Sequence, residues 1–205
     1  MLLATYQNKL IEVGTDEAGR GCLAGPVFAA AVIFRKGYSN ALLNDSKKLK
    51  ESQRNLLRLQ IENDALEFAV ASISHKEIDS LNILNASIKA MHVALSKLKA
   101  NFELIVVDGN RFKPFASKPY TTIVKGDGKY LHIAAASILA KTYRDEWMLE
   151  AHEKFPIYNW KQNKGYGTLA HRQAIIKYGQ CPLHRKSFHL KEMQLGIFEN
   201  RNITI

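Results

Sequence analysis

Cysteine is nearly absent from this 205-residue chain: only Cys22 and Cys181 occur, and no metal-ligand spacing relates them. A single long-range disulfide is the most they could form, so there is no disulfide framework and a reducing, cytoplasmic setting is the expectation. Long apolar runs are also missing. None approaches the ~20 residues that span a bilayer, and the N-terminal MLLATYQNKLIEVG lacks the apolar length and cleavage pattern of a signal peptide. No linker, internal repeat or low-complexity tract divides the chain. A single soluble domain over residues 1–205 with no membrane partner is expected, its last third (about 155–205) mostly helical, acting as a monomer. Acidic residues are scarce too: nineteen Asp and Glu stand against twenty-nine Lys and Arg, a net charge of +10. Such an excess attracts polyanions through counterion release and long-range steering, although a basic soluble protein without that role would show the same balance.

The apolar residues that are present fall into periodic segments. Glu12 to Asp16 reads as a short strand running into a glycine-studded stretch, Ala18 to Pro26. Val27 to Phe34 (VFAAAVIF) is a continuous apolar run of strand length, and Leu66 to Ile73 looks like a third strand. Lys50 to Asn63 and Ile83 to Leu98 have helical spacing. Leu104 to Val107 is a buried strand ending at Asp108, and Tyr120 to Val124 runs into Lys125-Gly126-Asp127. Ile133 to His152 is a long helix whose Ala-rich opening, Ala134 to Ala136, suits close packing on a sheet. Three early strands followed by alternating strands and helices predict an α/β fold with a mixed sheet.

The scarce acids sit where such a sheet builds sites. Asp16, Glu17, Asp108 and Asp127 all lie at or just past predicted strand ends. Carboxylates, water and phosphate oxygens are the ligands of hard Mg²⁺ or Mn²⁺, and two such ions can clamp the attacking and leaving oxygens of a phosphoryl displacement. Strand-end Asp residues also serve as plain turn-formers. For adjacent acids inside a glycine-rich turn, the metal-site interpretation is the stronger one.

Asp16 to Val27 (DEAGRGCLAGPV) resembles the signature of ribonuclease HII, the bacterial type 2 ribonuclease H. DSKKL (45–49), VDGN (107–110), KGD (125–127), AAASILAKTYRD (134–145), KGYGT (164–168) and PLHRKSF (182–188) follow in that family's order. Cys22 departs from the family's usual proline, and 161–164 is idiosyncratic. The resemblance implies a ribonuclease H-like fold with a mixed central sheet and a helical C-terminal extension. It implies a metal-binding, catalytic quartet of Asp16, Glu17, Asp108 and Asp127, with Asp127 either a direct ligand or acting through water. It also implies a substrate: the RNA of RNA/DNA hybrids, and duplex DNA carrying embedded ribonucleotides.

Distinguishing ribose from deoxyribose requires reading the 2′-OH. Gly19, Arg20 and Gly21 lie beside the carboxylates, where glycine lets backbone approach a ligand closely, and the resemblance assigns this stretch to the sugar at the cleavage position. It assigns Tyr166, between two glycines, to the deoxyribose at the RNA–DNA junction. Lys47, Lys48, His184, Arg185 and Ser187 read as phosphate contacts, with a structural role for His184 the alternative. Lys141 and Arg144, three apart on the long helix, suggest a cationic face. Other ribonuclease H-like nucleases would share the quartet without GRG and KGYGT, whereas a non-catalytic duplex binder would have no use for four acids facing DNA. Gln194 to Phe198 (QLGIF) resembles the pentapeptide by which bacterial proteins dock on the sliding clamp; an amphipathic helix end packing Leu195, Ile197 and Phe198 is the preferred interpretation.

Overall fold

The computed structural model describes residues 2–43, 46 and 49–189. Lys47, Lys48 and the Gln194–Phe198 segment lie outside the described residues. Five strands form one mixed sheet: β1 (Glu12–Ala18), β2 (Val27–Ile33), β3 (Glu67–Ile73), β4 (Leu104–Asp108) and β5 (Tyr120–Ile123). Their order is β3-β2-β1-β4-β5, antiparallel from β3 to β1 and parallel from β1 to β5. The helices are α1 (Glu51–Asp64), α2 (His75–Leu81), α3 (Ile83–Lys97), α4 (Leu131–Lys154), α5 (Trp160–Asn163) and α6 (Leu169–Tyr178).

β2 is buried along its whole length because helices cover both faces of the sheet, which is why its sequence is continuously apolar rather than alternating. Val27, Ala29, Ala31 and Ile33 face α3, packing with Ala86, Ala90, Met91 and Ala94. Ala30 and Val32 face the opposite layer, where α4 supplies Ala135, Ala136, Ile138 and Leu139 and α1 supplies Leu57 and Ile61. The α4 layer lies very close to β1. A Cβ on Gly14 would sit 2.4 Å from the carbonyl carbon of His132, so no larger residue fits there without moving the helix.

α2, absent from the sequence reading, opens on a capping box: the Ser74 hydroxyl accepts the Glu77 N–H at 3.2 Å, and the Glu77 carboxylate accepts from Ser74. Among the described residues beyond α4, short helices alternate with turns and loop. The chain makes a 3₁₀ turn at Pro156–Tyr158, the four-residue α5 and the ten-residue α6, then returns across the molecule as a loop. That loop bridges the β1–β2 turn at Ala24↔His184, and the KGYGT segment bridges it at Cys22↔Tyr166. Among the described residues no helix is long and apolar enough to cross a membrane.

Candidate active site

Parallel pairing of β1 with β4 sets Thr15 beside Val107, so the next residues, Asp16 and Asp108, end neighbouring strands side by side. Alternation along β1 sends Asp16 toward α4 and Glu17 toward α3. Both still reach the strand-end cleft, a cavity of about 360 Å³ that Asp16, Glu17 and Asp108 line with Arg20, Ser46, Arg54, Ser137, Lys141 and Tyr166. Asp127 does not line this cleft. It is 3% exposed in the 3₁₀ turn after β5, and its backbone N–H points at Asp108 Oδ1 at 3.3 Å. The Gly126 N–H donates to the same oxygen at 2.7 Å, so the KGD segment orients Asp108 from behind.

Burial, then the like charges of Glu17 and Asp108, push the Asp16 carboxyl well above the usual carboxylate range. A hydrogen bond from Ser137 opposes that shift. Because the Ser137 hydroxyl donates to Asp16, its oxygen accepts from Ser46, 2.9 Å away. Burial also raises Glu17, while the Arg20 guanidinium, 3.1 Å from its Oε1, pulls it down. As placed, no three acidic, histidine or cysteine side chains among the described residues converge on one ion. Glu17 faces Arg20, and Asp108 Oδ1 accepts two backbone N–H groups. The donors are nevertheless all hard oxygens, with the charges of Glu17 and Asp108 raising the proton affinity of Asp16, which fits a Mg²⁺- or Mn²⁺-type ion that keeps water and phosphate oxygens as its remaining ligands.

The turn after Glu17 is held open by an arginine beneath it. Gly19 has φ +98°, and a Cβ there would fall 2.0 Å from Arg144 Nε. A Cβ built on Gly21 would meet nothing within 4 Å, so that side of its backbone is open. Arg144 is therefore no part of a cationic surface: it is fully buried and donates to the carbonyls of Ala24, Pro26 and Lys164. Lys141 does face the cleft, pairing with Asp145 at 2.6 Å and lying 5.6 Å from the Tyr166 ring. Tyr166 is 40% exposed, and its side chain hydrogen-bonds the Cys22 thiol beneath it.

Two expected phosphate contacts need correction. Arg185 is fully buried, and its guanidinium donates to the carbonyls of Gly19, Arg20, Gly25 and Pro26. His184 is 1% exposed and hydrogen-bonded internally, the structural role that was its alternative. Both sit in a loop drawn into the fold by the β1–β2 turn, so neither reaches a duplex. Ser187 is exposed, but its hydroxyl donates to Asp79 at 2.6 Å. Ser137, Ser46 and Arg54 are the cleft residues that the sequence reading missed. Ser137 is legible only once its neighbours Ala134–Ala136 are known to pack on the sheet, which places it one turn further toward the strand ends.

A family model described as Ribonuclease HII matches residues 13–191. The chain is similar to the ribonuclease HII of Christiangramia forsetii, at 59% identity over 196 residues covering 96% of this chain and 99% of the relative. Among solved structures it is similar to the RNase HII of Archaeoglobus fulgidus in its complex with PCNA, with TM-score 0.75 and 25% identity over 89% of this chain and 96% of that one. It is also similar to the ribonuclease H2 of Pyrococcus horikoshii, with TM-score 0.74 and 26% identity over 87% and 93%. With matches that run from β1 through the loop bracing the glycine turn, the chain belongs to the ribonuclease HII family.

Proposed function

We propose that this chain is an endonuclease that hydrolyses the RNA strand of RNA/DNA hybrids and cuts duplex DNA 5′ to a single embedded ribonucleotide, leaving a 3′ hydroxyl and a 5′ phosphate. The observation that carries this is the meeting of Asp16, Glu17 and Asp108 at adjacent strand ends in a chain of net charge +10. Three carboxylates meeting at one cleft would repel a phosphodiester unless cations stood between them. Asp16, Glu17 and Asp108 would hold Mg²⁺ or Mn²⁺, with Asp127 fixing Asp108 from behind. When bound, a pair of such ions supplies an activated water and offsets charge on the leaving 3′ oxygen.

The protein's own groups account for the rest. Ser137, itself hydrogen-bonded to Ser46, favours the ionised form of Asp16. Arg20 balances Glu17 until substrate arrives. The unobstructed backbone at Gly21 suits close contact with a 2′-OH, and Tyr166 at the cleft rim suits stacking on the next sugar. Arg54 and Lys141 add positive charge where the phosphates would run.

The test is a DNA duplex containing one ribonucleotide, incubated with Mg²⁺, with Mn²⁺ or with EDTA, alongside an RNA/DNA hybrid. Cleavage 5′ to the ribose in at least one metal, its loss in EDTA, and its loss in Asp16→Asn with duplex binding retained are expected. Failure to cut either substrate in both metals would overturn the proposal.

A further inference from the structure

Tyr166 is held by an unusual arrangement of two buried histidines whose protonation states follow from the distances. The Trp160 indole N–H can only donate, and it points at His171 Nε2 at 3.0 Å. His171 Nε2 is therefore the bare nitrogen, and its proton lies on Nδ1. Nδ1–H is 2.9 Å from the carbonyl oxygen of Tyr166, to which it donates. In the second ring, the Cys181 backbone N–H donates to His184 Nδ1 at 3.0 Å; the Cys181 carbonyl is farther from that nitrogen, at 3.4 Å, and already accepts the His184 backbone N–H, so the His184 proton belongs on Nε2. That proton shares the single lone pair of His171 Nε2 with the Trp160 N–H, at the longer distance of 3.2 Å. Both imidazoles and the Trp160 ring are buried, at no more than 1% exposure. Burial also holds both histidines below their ordinary proton affinity, so both are neutral at pH 7.

We infer that His171 and His184 are positioning residues for Tyr166: two neutral imidazoles of opposite tautomer that fix its backbone carbonyl and couple it to the Cys181–Arg185 loop. Only a neutral imidazole accepts at one nitrogen and donates at the other across a rigid ring. Trp160 and His184 both donate to His171 Nε2, and together they leave its proton on Nδ1, facing the Tyr166 carbonyl. The same loop bridges the glycine turn at Ala24 and braces it through Arg185, so cleavage turn and Tyr166 share one support. This inference rests on the reading of Tyr166 as the residue that senses the sugar beside the ribonucleotide.

The first experiment is long-range ¹H–¹⁵N correlation on the full-length wild-type chain at pH 7, with His171 and His184 assigned by signals missing from His171→Asn and His184→Gln. The expected pattern is His171 protonated on Nδ1 and His184 on Nε2. His171 protonated on Nε2, or charged, overturns the arrangement. The second compares KM and kcat on the single-ribonucleotide duplex and the RNA/DNA hybrid. An asparagine amide nitrogen falls near histidine Nδ1 and keeps the donor to Tyr166, whereas phenylalanine keeps only the ring. His171→Phe is expected to raise KM about fivefold to tenfold on the single-ribonucleotide duplex, the cost of one buried hydrogen bond, with kcat and the hybrid KM within about twofold. His171→Asn is expected to stay within about twofold of wild type on both substrates. Equal losses by both variants on both substrates would reduce His171 to packing and overturn the inference. Tyr166→Ala separates the two levels: if it leaves the substrate preference intact, the reading of Tyr166 fails and this inference with it. If it abolishes the preference while His171→Phe does not, the histidine support alone fails. Should His171→Phe not fold, the wild-type tautomers and the asparagine variant still decide.

Discussion

Replacing Arg185 distinguishes an internal brace from a phosphate contact. Its guanidinium reaches four carbonyl oxygens, those of Gly19 at 2.7 Å, Arg20 at 2.9 Å, Gly25 at 3.0 Å and Pro26 at 3.3 Å. Burial draws its pKa down to about 10, which still leaves it charged at neutral pH. Arg185→Met keeps much of the stem volume and removes every donor. Each buried acceptor left without a partner costs ~1–3 kcal/mol, so four independent acceptors would total ~4–12 kcal/mol. They are not independent: all lie in one turn, Pro26 also accepts from Arg144, and a turn that loosens readmits water. A net loss of ~3–5 kcal/mol follows, or a fall in Tm of ~6–20 °C for a chain of this size. The assay is thermal unfolding by circular dichroism, with hybrid binding measured across a salt series. Removing a true phosphate contact would instead lower the slope of log K against log salt by ~0.9. A Tm within about 2 °C of wild type together with that slope change would refute the brace.

Other consequences are open to measurement. His184 binds its proton at about 4 in the fold against 6.5 when unfolded, so its contribution to stability is full above pH 6.5 and is lost as pH falls toward 4, by up to ~3 kcal/mol. Asp16 and Glu17, whose folded affinities are raised, have the opposite sign, so the urea midpoint of wild type should be compared with that of His184→Gln between pH 6.5 and 5; parallel curves would count against a buried neutral His184. In Ser137→Ala, Asp16 loses a donor that lowers its pKa, so the acidic limb of the rate profile should move to higher pH with little change in Tm. An unmoved limb would detach Ser137 from Asp16. Gly14→Ala forces β1 away from α4 and should cost at least ~2 kcal/mol by urea unfolding, whereas a wild-type midpoint would mean the two do not meet so closely.

Much of the sheet was readable from sequence because burial leaves a periodic trace. β2 announced itself as an unbroken apolar run, and β4 as a short run closed by an acid; strand ends pointed to a shared site of Asp16, Glu17, Asp108 and Asp127, of which the first three line the cleft. α2 was missed because seven residues with one buried side chain, Ile78, leave no stripe, although its capping box at Ser74 and Glu77 was there to find. His184 and Arg185 were misplaced for a different reason. Charge in a basic protein suggests contact with phosphate, but a polar side chain is buried when backbone carbonyls turn inward to meet it, and which carbonyls do so depends on contacts between residues some 160 positions apart. A separation of 120 positions likewise hid Arg144, whose helix position gave no sign that a glycine turn would lie across it.

The brace between the Gly19–Pro26 turn and Arg185 has a consequence in time. A nascent chain acquires Asp16, Glu17, Asp108 and Asp127 long before it acquires the arginine that fixes the turn beside them. Contacts so distant in sequence close late in folding. A half-made chain therefore carries the acids of the proposed site without the brace beneath the adjoining turn, which can form only after residue 185 has been synthesised and has folded back.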